Sequence, residues 1–427
     1  MAMIQAMANA FRLPDLRRKL LFTFAMLVIF RFIAHVPVPG VDLAKLAALF
    51  QGNQLMGMLD LFSGGAMTTF SIAAMGVYPY ITASIIMQLM VPIIPQLEEM
   101  SKEGDAGRKK INQYTHWLTV PLAALQGYGT AALLASQGII SNFGLSGDAL
   151  LPTLSMILSM TAGTVLLVWI GELITENGIG NGVSIIIFGG IVAKLPQMLG
   201  QFFVSGNYLI LVVFTALGVI TVAAIVVMQE AQRRIPVQYA KRIRGTKMYG
   251  GQSTHIPLRV NSAGMIPLIF AMSIMLFPGT VASYFMYSSE PWIANIATFV
   301  NNTFSTQSPV YWTLYFVLVV GFTFFYTMVI FQQQNLSENL QKYGGFVPGI
   351  RPGRPTSEYL NRILYRITWL GAIFLGVLAV LPFFAQGFSQ SLVLSSTGLL
   401  IVVGVVLDTM KQLEAQLLMR HYEGFIK

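Results

Sequence analysis

Long stretches without any charged residue are the feature that most restricts the fold of this chain. No Asp, Glu, Lys or Arg lies between residues 195 and 229, 260 and 289, 291 and 337, or 367 and 407. A helix needs about 20 apolar residues to cross the hydrocarbon core of a bilayer, so each stretch has room for one or two crossings. Only 10% of the 427 residues are charged, whereas soluble domains carry about 25%. The sequence therefore predicts an all-α polytopic membrane protein.

Ten membrane-spanning helices fit the hydropathy pattern. They are predicted at residues 20–37, 72–94, 117–134, 154–174, 183–195, 208–228, 264–286, 311–331, 367–384 and 392–407. The stretch LDLFSGGAMTTF at residues 59–70 is apolar as well. A continuous helix over residues 59–94 would measure about 54 Å, far more than the ~30 Å core. We therefore predict a separate half-helix at 59–70 that does not cross the membrane.

The distribution of lysine and arginine predicts the orientation of these spans. In a ten-span arrangement, 23 of the 26 basic residues lie in segments on the side of the two termini. Lys45 and Lys194 fall on the other side, and Arg31 lies inside the first span. Because basic loops remain in the cytoplasm, both termini are predicted to be cytoplasmic. The first span has no small-residue cleavage site after it and is predicted to be an anchor, not a removable signal.

The residue types give no support to an enzyme or a metal site. The chain has no cysteine, and its four histidines fall in separate segments. GIGNG at residues 178–182 follows no predicted strand, so we interpret it as a turn between helices. We expect no catalysis, no metal and no cofactor. Arg31 is the one charge well inside a span, while Lys194 and Glu172 lie near span ends where snorkelling accounts for them.

Two alternatives of different kinds stay open from the residues alone. A secondary transporter of a small solute would place ionisable groups deep in its spans, and this chain has few. A scaffold or insertase without a pore is the other alternative.

Two cytoplasmic loops, residues 229–261 and 332–362, are long, basic and rich in aromatic residues, glycine and proline. Connections above about a dozen residues are usually functional or disordered. Their charges could serve only topology and binding to anionic lipid headgroups. They could also form a docking surface for RNA or for an acidic protein.

Several long motifs resemble one family. They are LFSGGAMTTFSIAAMGVYPYITASIIMQL, ENGIGNGVSIIIFGGIVA, QSTHIPLRVNSAGMIP and GGFVPGIRPGRPT. In this order they resemble the SecY/Sec61-alpha family, the channel-forming subunits of protein translocases, and the likeness extends from residue 36 to 410. It implies two inverted, pseudo-symmetric halves of five helices, at residues 1–200 and 201–427, with a lateral gate between the second and seventh spans. It also implies that residues 59–70 are a plug formed by Leu61, Phe62, Ser63, Gly64, Gly65, Ala66 and Met67.

The resemblance further implies a pore constriction and a docking surface. The constriction would be a ring of Ile81, Ile85, Ile187, Ile191, Ile269 and Ile401. Docking of the SecA motor or the ribosome would use Arg242, Arg244, Lys247, Arg351 and Arg354. The first two pairs of isoleucines are spaced i, i+4 and so share a helix face, although spacing alone would favour a lipid-facing position. Many family members have Gly-Arg-Arg where this chain has Gly245-Thr246-Lys247, which removes one basic contact from the loop tip.

The implied function is a gated channel without an energy source of its own. It would pass unfolded secretory polypeptides across the bacterial cytoplasmic membrane and release membrane-protein helices laterally into lipid. SecA with ATP, or the translating ribosome, would drive translocation, and SecE and SecG would clasp the channel. Precursors with signal sequences and membrane lipid are the other implied partners.

Overall fold

The computed structural model describes residues 13–52, 60, 63–144, 146–204, 208–239, 242–244, 247–249, 253–286, 290–305, 308–334, 336–342, 344–385 and 390–423. In chain order the helices of this part are α1 (Pro14–Ile33), α2 (Leu43–Gly52), α3 (Tyr78–Met90), α4 (Pro95–Lys102), α5 (Asp105–Ser136), α6 (Leu150–Asn177), α7 (Gly182–Val204), α8 (Tyr208–Glu230), α9 (Ile266–Phe285), α10 (Pro291–Thr303), α11 (Pro309–Gln334), α12 (Leu336–Lys342), α13 (Arg354–Ala385) and α14 (Gln390–Glu423). The strands are β1 (Gln232–Tyr239), β2 (Arg242–Arg244), β3 (Lys247–Tyr249), β4 (Ser253–Arg259) and β5 (Gly345–Phe346).

Each of the ten predicted spans coincides with a helix, namely α1, α3, α5, α6, α7, α8, α9, α11, α13 and α14. Within the described ranges, four helical stretches are long and apolar enough to cross a membrane: Asp105–Ser136, Gly147–Asn177, Pro309–Lys342 and Arg354–Leu381. The pair α3 and α4, bent by 97° at the break between them, adds a fifth if it is counted as one span. The predicted polytopic class is confirmed.

The second span is shorter than predicted. The sequence placed it at residues 72–94, whereas α3 begins at Tyr78 and ends at Met90. Residues 72–77 form successive turns in which the backbone N–H groups of Ala74 and Gly76 bond to carbonyls three residues earlier. Gly76 has φ +56°, outside the right-handed helical region, and it separates these turns from α3.

The predicted half-helix ends earlier in the structure. Residues 60 and 63 are helical, residues 64–70 form turns, and residues 59, 61 and 62 lie outside the described residues. Gly64, Gly65 and Phe70 have φ of +68°, +88° and +43°. Left-handed residues cannot continue a right-handed helix, so an apolar run interrupted by a Gly-Gly pair folds here as turns. Residues 60 and 63–70 are called the plug turn below.

The structured chain divides into two compact units. The first unit consists of Met1–Ala216, Ser273–Tyr311 and Ala385–Lys427. Inside it, α3 packs against α5, α5 against α6, α6 against α1 and α7, and α7 against α14. A hydrophobic core in this unit joins Phe70 and Met75 to the ends of α5 and α6. The predicted halves at 1–200 and 201–427 stay a prediction.

The second unit, Leu217–Met272 with Trp312–Phe384, contains both long basic loops. Strand β1 pairs antiparallel with β4 from the first loop and with β5 from the second. Under this sheet lies a core made of Ile235, Val237, Leu258, Leu340, Val347, Leu360 and Ile363. The two predicted loops are therefore one folded element with a core of its own. The second loop also ends earlier than predicted, because α13 already begins at Arg354.

Candidate functional site: the plug turn and its cradle

The end of the plug turn is joined to the chain that leaves α1. The backbone N–H of Val38 donates to the carbonyl of Phe70 at 2.9 Å, and that of Ile72 donates to the carbonyl of Val36 at 3.0 Å. Thr69 Oγ1 donates to the carbonyl of Ala34 at 3.1 Å. These bonds fix where the turn ends and leave Asp60 and residues 63–68 to be held by other contacts.

A buried carboxylate organises the turn itself. Asp60 is 2% exposed. Its Oδ1 accepts hydrogen bonds from the backbone N–H of Met67 at 3.1 Å and of Thr68 at 3.0 Å, and its own carbonyl accepts from Gly65 N–H at 2.9 Å. A carboxylate that accepts backbone N–H groups makes charge-assisted bonds, which are stronger than neutral ones. Asp60 therefore closes the plug turn on itself.

Two basic side chains from the surrounding helices hold this turn. Lys194 Nζ on α7 forms an ion pair with Asp60 Oδ2. Arg31 Nη1 on α1 donates to the carbonyl of Gly64 at 2.7 Å. The Lys194 side chain is 24% exposed, against 2% for that of Asp60. The plug turn thus meets two cations, one of which neutralises its buried anion.

Glycine permits the close approach of the turn to α7. A Cβ on Gly64 would lie 2.8 Å from Gly190 Cα and 2.7 Å from Phe30 Cζ, and a Cβ on Gly190 would lie closer still to Gly64 Cα. Gly64 also needs its positive φ. Any larger residue at either position would push the turn away from the helix.

These contacts define what we call the cradle: Arg31, Lys194, Gly190 and Phe30 around the plug turn. The sequence predicted Ser63, Gly64, Gly65, Ala66 and Met67 as plug residues, and all five lie in the turn, while Leu61 and Phe62 lie outside the described residues. It missed Asp60, and the snorkelling interpretation of Lys194 is wrong. A useful signal was present, because a charge inside a span, such as Arg31, needs a partner there.

The predicted ring residues lie on four helices: Ile81 and Ile85 on α3, Ile187 and Ile191 on α7, Ile269 on α9 and Ile401 on α14. All except Ile269 are at most 5% exposed, and Ile269 is half-buried. Protein covers the five buried side chains, so a lipid-facing position is wrong for them. That the six residues form one constriction stays a prediction.

A hydrogen bond in the first unit links the second and seventh spans. Tyr78 Oη, at the start of α3, donates to the carbonyl of Ser273 on α9 at 3.1 Å. The two residues are 4% and 2% exposed. These are the spans between which the lateral gate is predicted, and in this structure they are in contact.

The predicted docking residues lie on the second unit, Leu217–Met272 with Trp312–Phe384, which is called the sheet unit below. Arg351 is exposed on a turn ahead of α13, where Gly349 and Gly353 have φ of +82° and +99°. Thr356 Oγ1 donates to the carbonyl of Arg351 at 2.8 Å and fixes that turn. Arg354 Nε lies 3.2 Å from Glu358 Oε1, with both side chains exposed.

The other docking residues lie on a hairpin. Strands β2 and β3 carry Arg242, Arg244 and Lys247, and Arg244 is paired with Lys247. The two residues between them, Gly245 and Thr246, lie outside the described residues. The docking role of this surface stays a prediction.

Among the described residues, no group of three or more His, Asp or Glu side chains could hold a metal ion. The GIGNG stretch lies in the turn between α6 and α7, as predicted, where Gly180 has φ +84°. Thr23 Oγ1 accepts a hydrogen bond from Ile179 N–H at 3.2 Å, which ties this turn to α1.

Comparisons with known proteins agree with one another. The family model for SecY matches residues 71–410. A protein translocase subunit SecY from Streptomyces scabiei is 46% identical over 441 aligned residues that cover all of both chains. A SecY protein whose plug domain stabilises the closed state of its translocation channel has a similar fold, with a TM-score of 0.64, 18% identity, and 93% and 92% of the two chains covered. Sec61 from the canine ribosome–channel complex gives a TM-score of 0.59 at 16% identity, with 93% and 92% covered.

Proposed function

The chain belongs to the SecY family, and from this premise we propose that it forms a gated channel for unfolded polypeptide. The channel passes secretory proteins across the bacterial cytoplasmic membrane and releases membrane-protein helices laterally into lipid. Both termini lie in the cytoplasm, in keeping with the distribution of basic residues. The chain catalyses no reaction, and SecA with ATP or the ribosome supplies the driving force. No observation favours a secondary transporter of a small solute.

The observation that carries this proposal is the cradle around the plug turn. A plug must close a pore reliably and still leave it when a polypeptide enters. The turn is held by a few specific polar contacts to Arg31 and Lys194 and by one close glycine approach to Gly190. Contacts of this kind are lost together once the turn moves, because each depends on the same geometry. Phe70, which is buried in the hydrophobic core, anchors the end of the turn.

The buried isoleucines suit a seal that a moving chain can pass. An apolar constriction dewets and resists the passage of ions. It offers no hydrogen bonds that would hold one side chain of a translocating polypeptide more than another. We place the ring at Ile81, Ile85, Ile187, Ile191, Ile269 and Ile401, five of which are covered by protein.

Entry and exit of polypeptide involve two further regions. The contact between Tyr78 and Ser273 is one bond that lateral opening between α3 and α9 would break. The sheet unit, with Arg242, Arg244, Lys247, Arg351 and Arg354, would dock SecA or the ribosome. SecE and SecG complete the channel, and precursors with signal sequences and membrane lipid are its other partners.

The test of channel function uses the absence of native cysteine. A cysteine replaces Ile85, a second cysteine is placed in the mature region of a precursor that stalls during export, and the sample is oxidised. We expect a disulfide-linked product that requires a functional signal sequence, because the passing chain would touch the constriction.

The matched control is the neighbouring residue on the same helix. Ile86 is 36% exposed, against 3% for Ile85, so a cysteine at Ile86 should face away from the path and give no product. Equal products at both positions, or none at Ile85 in a sample shown to engage the precursor, would overturn the proposed route.

A further inference from the structure

Helix α10 connects α9 to α11 and differs from both in length and pattern. It has 13 residues and no charged side chain. Three large apolar residues on it are exposed: Trp292 by 63%, Ile296 by 57% and Phe299 by 71%. Their spacing of four and three residues places them on one face of the helix. Soluble proteins rarely leave such a set of side chains in water.

The surface of α10 has three distinct faces. One packs on the protein and contains Ala297, which is 5% exposed, with the half-buried Ile293, Ala294 and Val300. The second is the exposed apolar face of Trp292, Ile296 and Phe299. The third is exposed and polar and carries Asn295, Thr298 and Asn302. An apolar face beside a polar one, both uncovered by protein, is the pattern of a helix at a membrane–water boundary.

The neighbouring residues indicate what covers the apolar face. Phe285, the last residue of α9, is 51% exposed, and Val310, near the start of α11, is 54% exposed. Both helices are membrane spans, so exposed apolar side chains lie at the span ends that precede and follow α10 in the chain. Tryptophan is also enriched where hydrocarbon meets water, which suits Trp292.

We propose that α10 is an interfacial helix whose partner is the lipid bilayer. Trp292, Ile296 and Phe299 enter the boundary between headgroups and acyl chains, and Asn295, Thr298 and Asn302 remain in water. Because α10 carries no Lys or Arg, burial of apolar surface drives this contact, and anionic lipid is not required. The helix thereby ties the end of α9 to the membrane surface.

The test places a nitroxide label at one position at a time in the cysteine-free chain. The apolar set is 292, 296 and 299, and the matched polar set on the same helix is 295, 298 and 302. The protein is reconstituted in vesicles of phosphatidylcholine alone. Collisions of each label are measured with oxygen, which concentrates in lipid, and with a water-soluble nickel complex.

Two positions calibrate the scale. Val317 on α11 is 57% exposed and serves as the lipid reference, and exposed Glu338 on α12 serves as the water reference. We expect the ratio of oxygen to nickel collisions at the apolar set to approach that of Val317. The ratio at the polar set should approach that of Glu338.

Two results would overturn the proposal. If the apolar set is as accessible to nickel as the polar set, the helix lies in water. If neither reagent reaches the apolar set, protein covers this face instead of lipid. Each set contains three exposed positions, so a label that prevents folding at one position leaves the comparison intact at the others.

Discussion

Charged side chains are buried or half-buried and paired in the cradle, whereas they are exposed on the sheet unit. In the cradle, Asp60 is almost fully buried, and its carboxylate contacts Lys194, the Ser63 hydroxyl and two backbone N–H groups. On the sheet unit, Arg351 and Arg354 are exposed, and the contact of Arg354 with Glu358 is a surface pair. The same residue types hold the chain to itself in one region and face outward in the other.

The difference is one of energetic scale. Breaking a buried pair by removing one partner destabilises by about 3–5 kcal/mol, because the other charge stays desolvated. An exposed pair contributes about 0–1 kcal/mol and is screened by salt. The cradle should therefore set the balance between closed and open plug, whereas exposed arginines should affect binding of partners with little effect on the fold.

The largest effect is expected for Lys194→Met. This change leaves Asp60 buried without its cation, so the closed plug should lose about 3–5 kcal/mol. In the absence of precursor, vesicles with this variant should leak ions well above the unmodified channel, as measured by the decay of a membrane potential.

Its control is the double variant Asp60→Asn/Lys194→Met, which removes both charges. The asparagine Oδ1 can still accept from Met67 and Thr68 N–H, so leak should return toward the original level. If the double variant leaks as much as Lys194→Met alone, the ion pair does not hold the plug.

A smaller effect is expected for Gly190→Ala, which tests the glycine approach without changing charge. The new methyl would collide with Gly64 Cα, and overpacking costs about 1–3 kcal/mol. Alanine also favours the helix by about 0.5–1 kcal/mol, which offsets part of this. We expect a moderate ion leak together with an unchanged or slightly lower melting temperature.

Gly200→Ala on the same helix is the matched control, because nothing lies within 4 Å of its added Cβ. It should keep the helix gain and show no leak. Equal leak from both variants would attribute the effect to α7 itself instead of the plug contact.

Sequence reasoning predicted the positions of the ten spans because hydropathy is set by local composition. It could not predict the cradle, since Asp60 and Lys194 are 134 residues apart and only tertiary packing brings them together. The half-helix was predicted to extend too far, because the apolar run was taken as helical up to Phe70 even though Gly64 and Gly65 permit left-handed turns. The shared sheet of the two basic loops also depends on long-range pairing, here between Gln238 and Phe346.

A still smaller effect is expected for Tyr78→Phe at the contact between α3 and α9. The variant removes one hydrogen bond to the Ser273 carbonyl, worth about 1 kcal/mol. We expect export of precursors with weakened signal sequences to rise several-fold, since the gate opens more readily. Tyr80→Phe is the control on the same helix, because the Tyr80 hydroxyl contacts Asn112 instead. A gain of the same size in that variant would remove Tyr78 from the gate.

The smallest effect on stability is expected for Arg351→Glu. This variant tests the role of the exposed arginines on the sheet unit. Surface substitutions usually change stability by less than about 0.5 kcal/mol, and Arg351 is exposed, so assembly and melting temperature should not change. Export driven by SecA should nevertheless be lost, because a basic docking contact becomes repulsive. Raising the salt concentration should weaken SecA binding to the unmodified chain while leaving the plug closed, since exposed charges are screened far more than buried ones.

Lys342→Glu, on the same unit but outside the predicted docking set, should export normally. Normal export by Arg351→Glu would show that this arginine only fixes topology, and the basic sheet would then lose its proposed role.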